Sequence, residues 1–270
     1  MPKTLIISGH IGFTDYLDFV RDNHEAYARK HDYDYVFHSP TWEGCDTDNP
    51  IVDFGWVKVD AARKYLSGYE DIFWIDSDSI FANTKKSLED LKKSGKPLVI
   101  SGDLFDVFNT GHFFLKNTSF GHDWLSTWWS MRGESFPKIH TSHQDSKGRL
   151  NEQPAANILL SFGIEKGLQE ISQGIQSAFN SINGFPGNPD RINEDFARLF
   201  APNKSRNLSR TQSLLHPSLQ DAVEIVPQRR INGYPNRQSG ELIPTAIGAP
   251  IVHFAGSKVK LLRFAKGSKK

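Results

Sequence analysis

Apolar residues fall in short runs through the first half of the chain, and the period of the runs changes from one to the next. The stretch TLIISG, residues 4–9, is aliphatic and β-branched without interruption, as expected of a strand buried on both faces. From Thr14 to His31 the apolar positions Leu17, Val20, Tyr27 and Ala28 recur near helical spacing, with Asp15 and Asp18 at the start, where the helix dipole favours anions. YDYVFHS then alternates as a strand, Trp56 to Leu66 reads as a second helix, and DIFWI, residues 71–75, reads as the next strand. A short helix is expected around Ser87 to Lys93, a strand at PLVIS after Gly95, and a further apolar strand at GHFFLKN. Strand and helix alternate, which predicts an α/β domain with a mostly parallel central sheet flanked by helices. Such sheets bind ligands beyond the carboxyl ends of their strands.

The second half is less regular. SFGHDWLSTWWSM predicts a helix whose Trp124, Leu125, Trp128 and Trp129 pack into the core, since tryptophans at this spacing bury large apolar areas. NEQPAANILLSFG predicts a helix with Asn151 as its N-cap and Gly163 just past its end. From Gln173 to Gln220, Asn, Pro, Ser and Arg crowd together with weak periodicity, the pattern of long loops over a site. VEIVP and APIVHFAG restore strand character. No internal repeat and no clean boundary divides the chain, so a single domain over residues 1–270 is expected, ending in a basic tail at 259–270.

Composition narrows the choices. A chain of 270 residues with 38% hydrophobic residues can bury a sizeable core as one domain. Thirty-two basic residues against thirty-one acidic leave a formal charge of +1, so no global field points to a nucleic-acid partner. One cysteine, Cys45, excludes an internal disulfide framework and suits a reducing compartment. The start, MPKTLIISGHIG, carries neither a secretory signal nor a membrane anchor, so a soluble cytoplasmic protein is expected. The end, KVKLLRFAKGSKK, reads as a solvated tail, with weak peripheral contact to an anionic membrane as the other reading. His140 and His143 in HTSHQD read as surface residues, and the sequons at Asn117, Asn203 and Asn207 carry little meaning without a signal.

The chemistry concentrates in EDIFWIDSDSIFAN, where Asp76 and Asp78 follow an apolar strand directly. Two acids one residue apart can hold a hard divalent cation through oxygen ligands, with both side chains on one face if the strand continues. The plain alternative is an ordinary turn. A strand ending in this pair also opens haloacid-dehalogenase-type phosphatases, but their pattern wants Thr or Val two residues after the second acid, where Ile80 stands. Asn109 and Gly111 set an amide and an open backbone before a strand, Glu152 and Gln153 stand in the first turn of a helix, and His253, Gly256 and Lys258 close a strand. An imidazole there suits a third ligand and a lysine suits phosphate.

Taken in order, the blocks NHEAYARKHDYDYVF, WVKVDAARKYLSGYEDIFWIDSDSIF, NTGHFFLKNTSFGHDWLSTWW, NEQPAA and VHFAGSK resemble a glycosyltransferase family. That family includes the fungal α-galactosyl- and α-mannosyltransferases and the plant xyloglucan xylosyltransferases. The resemblance implies a GT-A fold, a nucleotide-sugar donor (a UDP-sugar before a guanosine one), a glycan or other hydroxyl acceptor, a Mn2+ or Mg2+ cofactor and transfer with retention. On this likeness Asp76, Asp78 and His253 hold the metal, Lys258 after Gly256 contacts the donor diphosphate, and Asn109 and Gly111 line the donor-sugar pocket. Lys58 lies in the W-x-K block, and Ser8 on the first strand lines the base pocket. Gln153 borders the anomeric carbon, and Glu152 is the lower-ranked nucleophile of a double displacement. Asn151 departs from the family, which has an acid there. A non-catalytic sugar-nucleotide or glycan binder on the same fold is the reading from another class.

Overall fold

Eight strands make two sheets in the computed structural model, which describes residues 4–12, 15–40, 54–92, 94–102, 108–136, 147–164, 212, 214–234 and 249–254. The strands are β1 (Thr4–Gly9), β2 (Asp34–His38), β3 (Asp71–Ile75), β4 (Ser79–Phe81), β5 (Leu98–Ser101), β6 (Asn109–Lys116), β7 (Val223–Val226) and β8 (Ile251–His253). The main sheet has the order β2-β1-β3-β6-β5-β7, and β4 pairs with β8 in a second, two-stranded sheet. In the main sheet β1 is parallel to β2 and β3, β5 is parallel to β7, and β6 alone runs against its neighbours; β4 and β8 are antiparallel. The expected α/β architecture with a mostly parallel sheet is present. The reversed direction of β6 has no signature in GHFFLKN, because an apolar run buried on both faces reads the same in either direction.

Alternate residues of the central strands feed opposite cores, as the two-residue period of a strand requires. Leu5, Ile7, Ile72, Trp74, Phe113 and Leu115 join the cluster that holds α2 (Val57–Tyr65), α3 (Ser119–Ser130) and α4 (Glu152–Phe162). Ile6, Phe73, Ile75 and Phe114 face the other way, toward Tyr27 and Ala28 of α1 (Leu17–His31) and Ile231 of α5 (Gln228–Ile231). Trp124, Leu125 and Trp128 are buried as expected, Trp129 packs half-buried against the same cluster, and Trp128 does more than fill space. The Trp128 indole donates to the carbonyl of Glu152 at 2.9 Å, while Trp56 donates to the carbonyl of Leu150 at 3.3 Å. Two core indoles therefore fix the chain where it enters α4. Asn151 caps that helix, its side chain accepting from the Glu152 amide, and Gly163 ends it at φ 90°.

One expected element shrinks. In place of a helix over 87–93 there is a single 3-10 turn, Glu89–Leu91. The Arg230 guanidinium takes the carbonyls of Asp90 and Leu91, which a continuing helix would need for its own ladder. Most of the 173–220 stretch and the tail at 259–270 lie outside the described residues, as do Cys45, His140, His143, Asn203 and Asn207. No helix among the described residues is long and apolar enough to cross a membrane.

Candidate functional site

Asp76 and Asp78 emerge at the carboxyl end of β3, but not on a continuing strand. Ser79 donates its amide to the Asp76 carbonyl at 3.0 Å, so residues 76–79 form a tight turn. The expectation of two side chains sharing one face through strand alternation is corrected: the turn itself brings the carboxylates together. Turn and ligand pair, which the sequence offers as alternatives, are the same structure here.

The third member arrives by strand pairing. β4 leaves the turn and pairs with β8, setting Ser79 opposite His253, and the Phe254 amide donates to the Asp78 carbonyl at 2.9 Å. His253 Nε2 lies 3.0 Å from Asp78 Oδ1 and 3.8 Å from Asp76 Oδ2. One ligand atom from each of the three residues falls within 4.8 Å of the others. The acid side chains remain 23% and 24% exposed, while His253 is buried, so the cluster opens toward solvent on its acidic side.

Gly111 floors the site. A Cβ placed there meets Asn109 Oδ1 and His253 Cε1 at 2.9 Å and Asp76 Oδ2 at 3.0 Å, so only glycine leaves the space between acid and imidazole free. The Asp76 amide donates to the Gly111 carbonyl, and the Gly111 amide donates to Asn109 Oδ1 at 2.8 Å. Two carboxylates and one imidazole around such a cradle fit a divalent cation of the manganese or magnesium type.

Lys58 sits behind Asp76. Its ammonium reaches Glu152 Oε1 at 2.8 Å, Asp76 Oδ1 at 3.2 Å and the Thr110 carbonyl at 3.2 Å, all three of its donors being engaged. Burial acts against its charge, but the carboxylates of Asp76 and Glu152 outweigh that and hold the ammonium above its ordinary value. Burial raises the Asp76 carboxyl, against the pull of Lys58 and His253. Burial presses on Asp78 in the same sense, yet its contact with His253 leaves that carboxyl below the usual range. Trp74 adds an indole donor to Asp76 Oδ1 at 2.7 Å.

The sugar-side candidates lie next to this pair. Gln153 Oε1 accepts from the Thr110 amide at 3.1 Å. The single Thr110 hydroxyl proton goes either to Glu152 Oε1 at 3.4 Å or to Gln153 Oε1 at 3.3 Å, which ties both side chains to the start of β6. Glu152 is 5% exposed, with Oε1 on Lys58 and Oε2 packed over Gly55, where a Cβ would stand 1.6 Å away.

Two expected contacts read differently in the structure. Ser8 is wholly buried, so its side chain does not line a pocket; His10, two residues on, is the partly exposed group at that strand end and contacts the Ser77 hydroxyl at 3.0 Å. Lys58 faces protein acceptors rather than an open donor pocket. Gly256 and Lys258 lie outside the described residues.

Several members of the site escape a sequence reading. Asn232 Oδ1 lies 2.8 Å from His253 Nδ1, and the Tyr234 ring stacks on the imidazole at 5.3 Å while its hydroxyl accepts from Asn109 Nδ2. His112 meets the same imidazole edge-on at 5.1 Å, and burial holds its pKa well below the ordinary value, leaving it neutral. Asn-Gly-Tyr reads as a turn, and only its bridge to β8 places it here.

A model of the galactosyl transferase GMA12/MNN10 family matches residues 8–94, a span that includes the acid turn. No curated protein matches the chain. Among solved structures, a glycosyltransferase involved in the glycosylation of the major capsid of PBCV-1 covers 98% of this chain and 100% of its own at 15% identity, with a TM-score of 0.56. That likeness shows the GT-A fold. Galactosyltransferase LgtC, in complex with donor and acceptor sugar analogues, covers 97% of this chain and 95% of its own at 12% identity and a TM-score of 0.38, a looser likeness. A Drosophila β-1,4-galactosyltransferase 7 variant, in complex with manganese, UDP-Gal and xylobiose, covers 45% and 52% at 12% identity and a TM-score of 0.31. The family match covers about a third of the chain, and the structural likeness shows the fold.

Proposed function

We propose that this chain is a metal-dependent retaining glycosyltransferase, moving a hexose or pentose from a nucleotide-diphosphate sugar to a hydroxyl of a glycan acceptor, with a uridine donor favoured. The observation that carries the reading is the meeting of Asp76, Asp78 and His253 at the carboxyl edge of the sheet, joined through Lys58 to Glu152 in the first turn of α4. Asp76, Asp78 and His253 hold the cation, which when bound neutralises the charge that grows on the departing diphosphate. Lys258, after Gly256, adds a positive charge toward the same diphosphate.

The remaining tasks fall to Lys58, Asn109, Gly111 and Gln153. Lys58 holds Asp76 and Glu152 in fixed positions, which makes it a positioning residue. Asn109 and Gly111 form the floor on which the donor sugar rests. The Gln153 carbonyl steadies the positive charge that develops at the anomeric carbon, and a phosphate oxygen of the leaving group takes the acceptor proton on the face it leaves. Glu152 is a poor nucleophile for a double displacement, because it is buried and ion-paired to Lys58.

The test is a panel of nucleotide sugars incubated with Mn2+ and no acceptor, following released nucleoside diphosphate. Slow Mn2+-dependent hydrolysis of one donor is expected, lost in Asp78→Asn and in Gln153→Ala. A protein that binds the donor and leaves it intact is a non-catalytic binder and contradicts the proposal. Loss of activity in Glu152→Gln with Gln153→Ala unaffected would instead assign the chemistry to Glu152.

A further inference from the structure

His253 is gripped on three sides by groups that the acid pair does not explain. The tripeptide 232–234 is laid against β8 by two backbone hydrogen bonds: the Gly233 amide donates to the Ile251 carbonyl at 3.2 Å, and the His253 amide donates to the Gly233 carbonyl at 2.7 Å. Gly233 is forced by this approach, since a Cβ there meets Ala249 Cβ and the Ile251 carbonyl at 2.9 Å. The docking puts the wholly buried Asn232 side chain at Nδ1 of the imidazole and the Tyr234 ring on its face.

The consequence follows from what an imidazole can do. A ring that ligates a cation through Nε2 must carry its proton on Nδ1, and that proton needs an acceptor. Asn232 Oδ1, at 2.8 Å, accepts and cannot donate. With the amide nitrogen in its place, Nδ1 would have to accept, Nε2 would carry the proton, and a proton rather than a lone pair would face Asp76 and Asp78. Tyr234 restrains the ring plane and ties it through its hydroxyl to Asn109, on the Gly111 floor.

We propose that Asn232, Gly233 and Tyr234 form a bracket that sets the tautomer and the plane of His253, making Asn232 the positioning residue of the cation site. The proposal rests on the reading of Asp76, Asp78 and His253 as ligands. It adds a residue that neither the strand pattern nor the acid pair indicates.

The test measures binding of Mn2+, alone and with uridine diphosphate, by the electron paramagnetic resonance signal of free Mn2+. Asn232→Leu, which removes the acceptor, is expected to weaken binding about 10–100-fold, the range found for groups that orient metal ligands. Asn232→Asp, which keeps an acceptor oxygen, is expected to stay within a few-fold of the parent protein. Equal affinity in folded Asn232→Leu overturns the bracket while leaving the metal site standing; absence of Mn2+ binding in the unaltered protein overturns both. A second measurement needs no variant: long-range 1H–15N spectra of the Mg2+-loaded protein are expected to show His253 protonated at Nδ1 and bare at Nε2. The opposite tautomer overturns the proposal.

Discussion

Lys58 Nζ lies 2.8 Å from Glu152 Oε1, and both side chains are only 6% exposed. The same ammonium is 3.2 Å from Asp76 Oδ1, so a single buried cation connects the acid turn at the end of β3 with the first turn of α4. The acid turn and the first turn of α4 are thereby held at a fixed separation by one charge and the two carboxylates around it.

Removing that charge strands Glu152 and Asp76 without a counter-ion. Lys58→Met is expected to lose about 3–5 kcal/mol of stability, because a buried carboxylate left unpaired costs far more than the intact pair contributes. The double variant Lys58→Met with Glu152→Met is expected to recover part of the loss. Equilibrium urea unfolding of the three proteins checks this; a single variant as stable as the parent would contradict the buried ion pair.

Gly111 gives a prediction about space. Gly111→Ala inserts a methyl 2.9 Å from His253 Cε1, closer than real contacts allow, and a tight 3.0 Å from Asp76 Oδ2. The acid and the imidazole must separate, so Mn2+ affinity is expected to fall on the order of tenfold or more, as for other changes that misplace metal ligands. Titration calorimetry reads the change, and an unaltered affinity would contradict the cradle.

A third prediction concerns acid. His24 on α1 is wholly buried, its Nε2 2.9 Å from the Ser79 carbonyl, and burial lowers its pKa to about 4 from 6.5, outweighing that hydrogen bond. The folded value lies below the unfolded one, so the contribution is complete above pH 6.5 and is lost as pH falls toward 4. The loss amounts to about 3 kcal/mol at one pKa unit per 1.4 kcal/mol. His24→Gln keeps a donor for Ser79 and cannot titrate, so its stability is expected to fall less between pH 7 and pH 4. Unfolding free energies across that range check it, and parallel pH curves would contradict it.

The uneven legibility of the sequence has physical causes. β1, β3 and the acids could be read because a strand buried on both faces must be apolar throughout, and because carboxylates at its end stand out against it. The helices from Leu17 and Glu152 show through their spacing and, for the latter, through the Asn151 cap. The direction of β6 could not be read, since hydrophobicity carries no polarity along the chain. The turn at 76–79 is legible as an alternative to a ligand pair, but not as the device that sets the two carboxylates side by side. Asn232 and Tyr234 were invisible because they reach His253 only through a backbone bridge between Gly233 and Val252. Ser8 has a simpler cause: it sits inside the strand with its side chain buried, and the chain becomes exposed only from His10 on.

The central claim is that Asp76, Asp78 and His253 share one cation. Crystals soaked with Mn2+ and uridine diphosphate, with data collected on the manganese absorption edge, test it most directly. The expected result is one anomalous peak with an oxygen of each aspartate and Nε2 of His253 within about 2.0–2.6 Å, the range for hard divalent cations. A peak elsewhere, or His253 turned away from the two acids with no ion between them, would contradict the claim.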